Sequence, residues 1–383
     1  MRCASVYSSN IDGYEAGLEI AEALAEIKPQ VLLLFTSIHY DPSELLGGIG
    51  DIFEDQLPVI VGGTGDGVYE TSGVFIHGAA ALGLNFGDAV ETSLALTAGA
   101  AENPYEAARQ CAAQNVQDLG GPPDLAFCFT DLTCDGTKVT EGLVAGGLKV
   151  FQGGLTGDDW QFKKGVIYCG RQAYQQRVLS LALKGCRAFR INTASGWKPL
   201  GSPGVVEEAE GNVIRRISGM STFDFIYQQF GMPPAEAELG VVPLAAYVED
   251  NSNFFLLRSP RDMNVDSGQI TYFGGIDTKT NVRVCSAGKD DILYGVNEAL
   301  DGMGHIGFTP RCAVIVSCGA RKMLLGEQIS REVELLFESL GRRIPLAGYV
   351  SFGEIGPFWN GTHHTIPYFH NVSYVVNIIG EKQ

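Results

Sequence analysis

The chain has 383 residues, 45% of them hydrophobic and only 19% charged, with 49 glycines and a formal net charge of −17. That length suits two packed domains, and the composition excludes a disordered chain. The acidic balance repels phosphate backbones and anionic lipid, so nucleic acid and membrane surfaces are not expected partners.

The amino terminus, MRCASVYSSN, lacks the basic region and apolar core of a secretory signal. No apolar run approaches the roughly 20 residues of a membrane span. Nine scattered cysteines without a CxxC pair read as reduced thiols of a cytoplasmic protein. In chain order, a helical pattern over 12–27 precedes an apolar strand at 30–37. After a second helix comes LPVIVGGTGDG (57–67), an apolar strand that runs into a glycine turn. The order recurs at 103–119, 123–131 and 148–159 (LKVFQGGLTGDD). It recurs again at 290–303, 311–321 and 343–356 (RIPLAGYVSFGEIG). A helix–strand–helix–strand–glycine turn unit is thus used three times. Returning strands follow each turn, at 73–87 and 89–100, at 165–170 and 177–185, and at 365–380. The fold class predicted is mixed α/β (α+β), with duplicated helix–strand–helix–strand units forming mixed sheets flanked by helices. Two related halves are expected, 1–205 and 206–383.

Around the join, Glu210-Gly211-Asn212 reads as a hairpin tip, and 221–231 reads as a helix capped by Ser221. The strand at 241–250, with Pro243 near its start, makes this region look like a worn fourth copy lacking its second helix. Strands at 268–276 and 282–288 complete its sheet.

Strand ends at tight turns are where α/β proteins place ligands, and the third turn is the richest. Tyr349 and Ser351 share one face of their strand, Gly353 permits a sharp turn, and Glu354 follows. Parallel pairing brings Cys318 and Arg321 alongside. Arg321 is then placed to take a carboxylate and Glu354 an amine, the pair of contacts a zwitterion needs. The competing reading is an internal ion pair of Arg321 with Glu354 or Glu327. The turns GGTGDG and GGLTGDD lack the Lys-Ser/Thr of a phosphate loop, and Asp66, Asp158 and Asp159 disfavour phosphate, so turn chemistry is their expected role. The histidines show no zinc spacing. His370 and His305 are weighed as haem ligands, and Cys318 or Glu354 as the reactive group of an enzyme.

GGLTGDDWQFKKGVIYCG, GWKPLGSP followed by EEAEGNVIRRISGM, SCGARKMLLGEQISREVE, PLAGYVSFGEIG and the later FHN together resemble the FIST family. The N-terminal FIST half is similar to about 28–200 and the C-terminal half to about 220–365. Phe352 stands where the pattern leads one to expect a tyrosine-like aromatic. The resemblance implies a sensory domain that binds a small metabolite such as an amino acid. It implies a separate signalling partner, such as a histidine kinase or a cyclic-dinucleotide enzyme, since no such segment lies in this chain. Haem binding with a nitric-oxide response, known for some members, is the alternative it carries. Cys318, Arg321, Tyr349, Gly353, Glu354, His370 and Asn371 match the family's recurring positions.

Overall fold

The computed structural model describes all residues except 164, 232–239, 249–253, 302, 304, 305 and 383. His305 and the end of the strand expected at 241–250 lie outside the described residues.

Three copies of one unit make up most of the molecule. The first comprises β1 (Arg2–Ser8), α1 (Gly13–Ala25), β2 (Val31–Thr36), α2 (Pro42–Phe53), β3 (Val59–Thr64), the hairpin β4 (Val68–Glu70) and β5 (Gly73–Phe75), and β6 (Ala79–Asn85). The second comprises β7 (Glu91–Ala98), α3 (Pro104–Asp118), β8 (Leu125–Thr130), α4 (Gly136–Ala145), β9 (Phe151–Leu155), the hairpin β10 (Ile167–Cys169) and β11 (Gln172–Tyr174), and β12 (Arg177–Lys184). The third opens with β13 (Phe189–Ala194) and is then interrupted by an insertion. The insertion runs through β14 (Lys198–Glu210), β15 (Val213–Ile217), β16 (Met220–Ser221), α5 (Thr222–Phe230), β17 (Leu244–Tyr247), β18 (Phe255–Arg258), β19 (Pro260–Asn264), β20 (Gln269–Tyr272) and β21 (Asn281–Ser286). The unit resumes with α6 (Lys289–Leu300), β22 (Phe308–Cys318), α7 (Gly319–Leu325), α8 (Arg331–Leu340), β23 (Leu346–Ser351), the hairpin β24 (Glu354–Gly356) and β25 (Tyr368–His370), and β26 (Tyr374–Lys382).

The four main strands are ordered alike in every unit: β1-β6-β2-β3, β7-β12-β8-β9 and β13-β26-β22-β23. In each, the last two are parallel and the others antiparallel. One close approach recurs. A Cβ on Gly62, Gly153 or Gly348 would lie 2.0, 1.6 or 1.9 Å from the carbonyl oxygen of its partner on the neighbouring parallel strand, Leu34, Cys128 or Ile315. Only glycine fits there.

Strand alternation sends one face of every sheet inward. Val31, Leu33 and Phe35 meet Leu125, Phe127 and Phe129 and also Cys312, Val314 and Val316 in one central core. The opposite faces carry helices: α1 and α2 over Leu32 and Leu34, α3 and α4 over Ala126 and Cys128, and α6 and α8 over Ala313 and Ile315. The helices start where the sequence offers caps, with Asp12, Asn103 and Asp135 each accepting from the first turn.

The hairpins are exchanged. The hairpin of the first unit pairs with β23 of the third, that of the second with β3 of the first, and that of the third with β9 of the second. Each sheet is therefore completed by its neighbour's hairpin, in a closed cycle.

The insertion forms a curled sheet, ordered β18-β17-β21-β14-β15-β20-β19, with β16 beside β15 and α5 packed on it. The hairpin tip at Gly211 and the Ser221 cap are as expected. A worn fourth repeat is not what this segment is: its strands are antiparallel and form a sheet of their own. Position 205 falls within β14, which pairs with β21 before it and β15 after it. The single strand expected over 365–380 is broken at Val372, whose φ of 53° is a strained value for a β-branched residue. No helix among the described residues is long and apolar enough to cross a membrane.

Candidate functional site

The three glycine turns meet. The Asp66 N–H donates to Val350 O (2.9 Å), the Gly157 N–H to Thr64 O (2.7 Å) and the Leu155 N–H to Gly353 O (2.8 Å), joining the units in a ring. Each turn carries a glycine followed by an acid, Gly65-Asp66, Gly157-Asp158 and Gly353-Glu354, and all three acids are buried.

Buried carboxylates persist only with donors, and each has a distinct set. Asp158 accepts from the N–H of Phe162 (2.8 Å) and of Lys163 (2.6 Å), folding the DDWQF loop around itself. Asp66 accepts from the Trp160 indole (2.7 Å) and from Lys322 Nζ (3.0 Å). Burial still holds its carboxyl above the ordinary range, outweighing the ammonium beside it. Glu354 accepts from Ser351 Oγ (2.8 Å) and the Ser373 N–H (3.0 Å), with the Cys318 thiol as a further donor. Burial pushes its carboxyl up to about 8.

Above this ring lies a cavity of about 250 Å³. Trp160 and Phe162 from the second turn, Phe352 from the third and Phe273 from the curled sheet surround it. Phe352 touches the other three, its ring centroid 5.1 Å from Trp160, 5.0 Å from Phe162 and 6.0 Å from Phe273. Ser259, Arg261, Cys318 and Asn371 supply the polar lining. Ser259 Oγ is buried with no hydrogen-bond partner among the described residues, and Arg261, half-buried, has no ion-pair partner among them. Asp159, Trp160 and Phe162 have φ values of 58°, 61° and 54°. With Val372, they put strained backbone on both sides of the cavity. Such strain persists only where the surroundings over-determine it, and it concentrates at functional sites.

The sequence-expected residues divide into two sets. Cys318 and Asn371 line the cavity, and Ser351, Gly353 and Glu354 form the layer beneath it. Asn371 Oδ1 accepts from the Ser259 N–H (3.0 Å). A Cβ on Gly353 would meet the Phe369 ring at 2.4 Å. Arg321 lies elsewhere. It is fully buried against Glu332 (2.8 Å), and it also donates to the carbonyls of Ser195 and Ile292. The ion pair is internal, but its acid is Glu332 of α8 rather than Glu354 or Glu327, and Tyr69 donates to the second oxygen of Glu332 (2.5 Å). Tyr349 stacks on Phe35 in the central core, centroids 5.0 Å apart.

His370 is buried, with Nε2 against Gly356 O (2.9 Å), and desolvation lowers it to about 4. The ring cavity has no histidine in its lining among the described residues. His370 lines a separate cavity of about 490 Å³, with Phe358 and Trp359. Burial raises the Cys318 thiol well above its ordinary value, so it is protonated at neutral pH. Sequence reasoning missed the aromatic walls, Ser259 and Arg261. The signal within reach was DDWQF, two aromatics directly after a glycine turn.

Fold and cavity together define a three-repeat mixed α/β protein with an aromatic pocket at its strand ends. Residues 30–220 match the FIST N domain and 226–357 the FIST C domain, and the chain belongs to the FIST family, whose domains are in general sensory, ligand-binding modules of signal transduction. Two uncharacterized proteins of Mycobacterium tuberculosis, from strains CDC 1551 / Oshkosh and ATCC 25618 / H37Rv, are each 25% identical over 249 residues, 62% of this chain and 60% of theirs. The match thus spans three fifths of the length of these curated relatives. Among solved structures, a cyanuric acid hydrolase from A. caulinodans aligns over 100% of this chain and 99% of its own, at 8% identity and a TM-score of 0.37. T. maritima PurL complexed with FGAR aligns over 99% and 72%, at 9% identity and a TM-score of 0.24.

Proposed function

We propose that this chain is a non-enzymatic sensor that binds a small metabolite of amino-acid size in the aromatic cavity above the turn ring and signals through a separate partner protein. One observation carries the reading: a cavity of about 250 Å³ walled by four aromatic rings, holding an unpaired buried hydroxyl, Ser259, and a half-buried Arg261 that no described acid pairs. An apolar body fits the rings, an anionic group fits Arg261, and a hydrogen-bonding group fits Ser259. The role first expected of Arg321 passes to Arg261. Because Asp66 of the first turn orients Trp160 of the second, and Phe352 belongs to the third, a ligand here touches walls built by all three units. Binding then favours one arrangement of the ring over others, the population shift a sensor transmits.

Thermal unfolding against a panel of amino acids, their 2-oxo acids and haemin tests this. A ligand at a hundred times its dissociation constant adds about 2.7 kcal/mol, roughly 3–4 °C in midpoint for a cooperative unit of this length. The expected result is a shift with one amino acid or oxo acid that is absent in Arg261→Met. A shift that survives Arg261→Met, or one produced by haemin alone, overturns the assignment.

A further inference from the structure

A second cavity, of about 570 Å³, lies between the curled sheet and α4. Arg258, the last residue of β18, lines it and is only 4% exposed. Its Nε donates to Gly275 O (3.2 Å), and its Nη1 to Leu257 O and Phe369 O (3.0 Å each). Those three carbonyls fix the plane of the guanidinium and leave Nη2 without a partner among the described residues. No described carboxylate lies within ion-pair distance. The nearest acids are Asp135, Glu141 and Asp277. Asp135 is taken up in capping α4, while Glu141, paired with Lys138 at 2.8 Å, and Asp277 both stand in the cavity lining. A buried cation without a counter-charge is costly, and burial brings this guanidinium down to about 10.

The rest of the lining is mainly apolar: Tyr247, Leu256, Ile276, Ile366 and Tyr368, of which Ile366 is 56% exposed. Thr137 Oγ1, on a lining residue, is a buried polar atom without a partner among the described residues. A fixed, uncompensated guanidinium inside an apolar-walled cavity is the arrangement that recognises a carboxylate by charge-assisted hydrogen bonds and its body by burial. We propose that this cavity is a second ligand site, taking a carboxylate carried on an apolar or aromatic body, with the carboxylate on Arg258 and the body against Tyr247 and Ile276. The site is separate from the ring cavity, although the two are adjacent: Arg258 and Phe369 face this one, and Ser259 and Asn371 face the other.

Calorimetric titration of the full chain with phenylacetate, phenylacetamide and inorganic phosphate tests it. Phenylacetate should bind at least about tenfold more tightly than the amide, which has the same body without the charge. It should also exceed phosphate, which has charge without the body. Arg258→Met should remove that preference. Ala145→Trp, at the exposed end of α4 in the cavity lining, should block binding with Arg258 left in place, so the test survives if the arginine variant does not fold. Arg261→Met should bind phenylacetate as the parent does. Equal binding of acid and amide, phosphate binding as tight as phenylacetate, undiminished binding by Ala145→Trp, or loss of binding in Arg261→Met would each overturn the proposal.

Discussion

Glu354 and Arg321 are both fully buried and near each other, yet they solve the problem of a buried charge in opposite ways. Arg321 keeps its charge and is compensated by Glu332 and two carbonyls. Removing it would leave Glu332 as an unpaired buried anion, a loss of about 3–5 kcal/mol, so it supports the fold whether or not a ligand is present. Glu354 sheds its charge, titrating at about 8 rather than 4.5. Its contribution to stability is therefore complete below about pH 4.5 and is lost as the pH climbs through 8. Asp66, also raised by burial, acts in the same sense. His364 and His370, lowered from 6.5 to about 4 by desolvation, act oppositely: they stabilise above 6.5 and cease to do so as the pH falls toward 4. Between about pH 6.5 and 7.5 the carboxylates are left to set the slope, because the buried thiols, raised above their ordinary 9, count only at higher pH, where the unfolded thiols ionise. Urea midpoints should fall across that interval, and Glu354→Gln, which stays neutral, should remove most of the fall. An unchanged slope in the variant would show that Glu354 is ionised throughout.

At the level of elements, the loop after the second turn is the most exposed to a single change. Asp158 satisfies the N–H groups of Phe162 and Lys163, and the residues between carry the positive φ values. Asp158→Ala strands two part-buried N–H donors and should cost about 1–3 kcal/mol. It should also release Trp160 from its packing against Phe352, seen as a loss of near-ultraviolet circular dichroism. Retained near-ultraviolet signal would mean that the ring contacts alone hold the loop. This loop also marks where the sequence stops being legible. The strands of each unit, their parallel pairs and their glycine turns could be read from apolar runs and spacing, because burial on both faces writes itself into composition. The site could be read in part: Cys318, Ser351, Gly353, Glu354 and Asn371 were reachable because they sit at strand ends. The partner acid of Arg321, Glu332, lies on another helix that spacing alone does not place beside it, and Arg261 is delivered by a curled sheet that pairs by tertiary contact alone. The first strands of two units, β1 and β13, are not legible from spacing: β1 stands ahead of the repeating pattern, and an insertion of about ninety residues separates β13 from α6.

At the level of the whole molecule, the hairpin cycle makes each unit depend on the other two. A fragment ending at residue 205 retains β4–β5 without β23, β9 without β24, and β13 without β26. Edge strands that have lost their partners are open to association. Residues 1–205 expressed alone should therefore give no cooperative thermal transition and should associate, whereas a sharp transition from a monomer would show that the first two units suffice for each other.

The same cycle sets a timetable for synthesis. Val68 pairs with Tyr349, about 280 positions further along. At about 5–20 residues per second, the first hairpin leaves the ribosome roughly 15–55 s before its partner strand exists. The edge of β3 waits a shorter time for β10, and β9 waits for β24. Throughout those intervals the nascent chain presents unpaired strand edges from its first unit, and the strands of the third unit are the ones that close the ring.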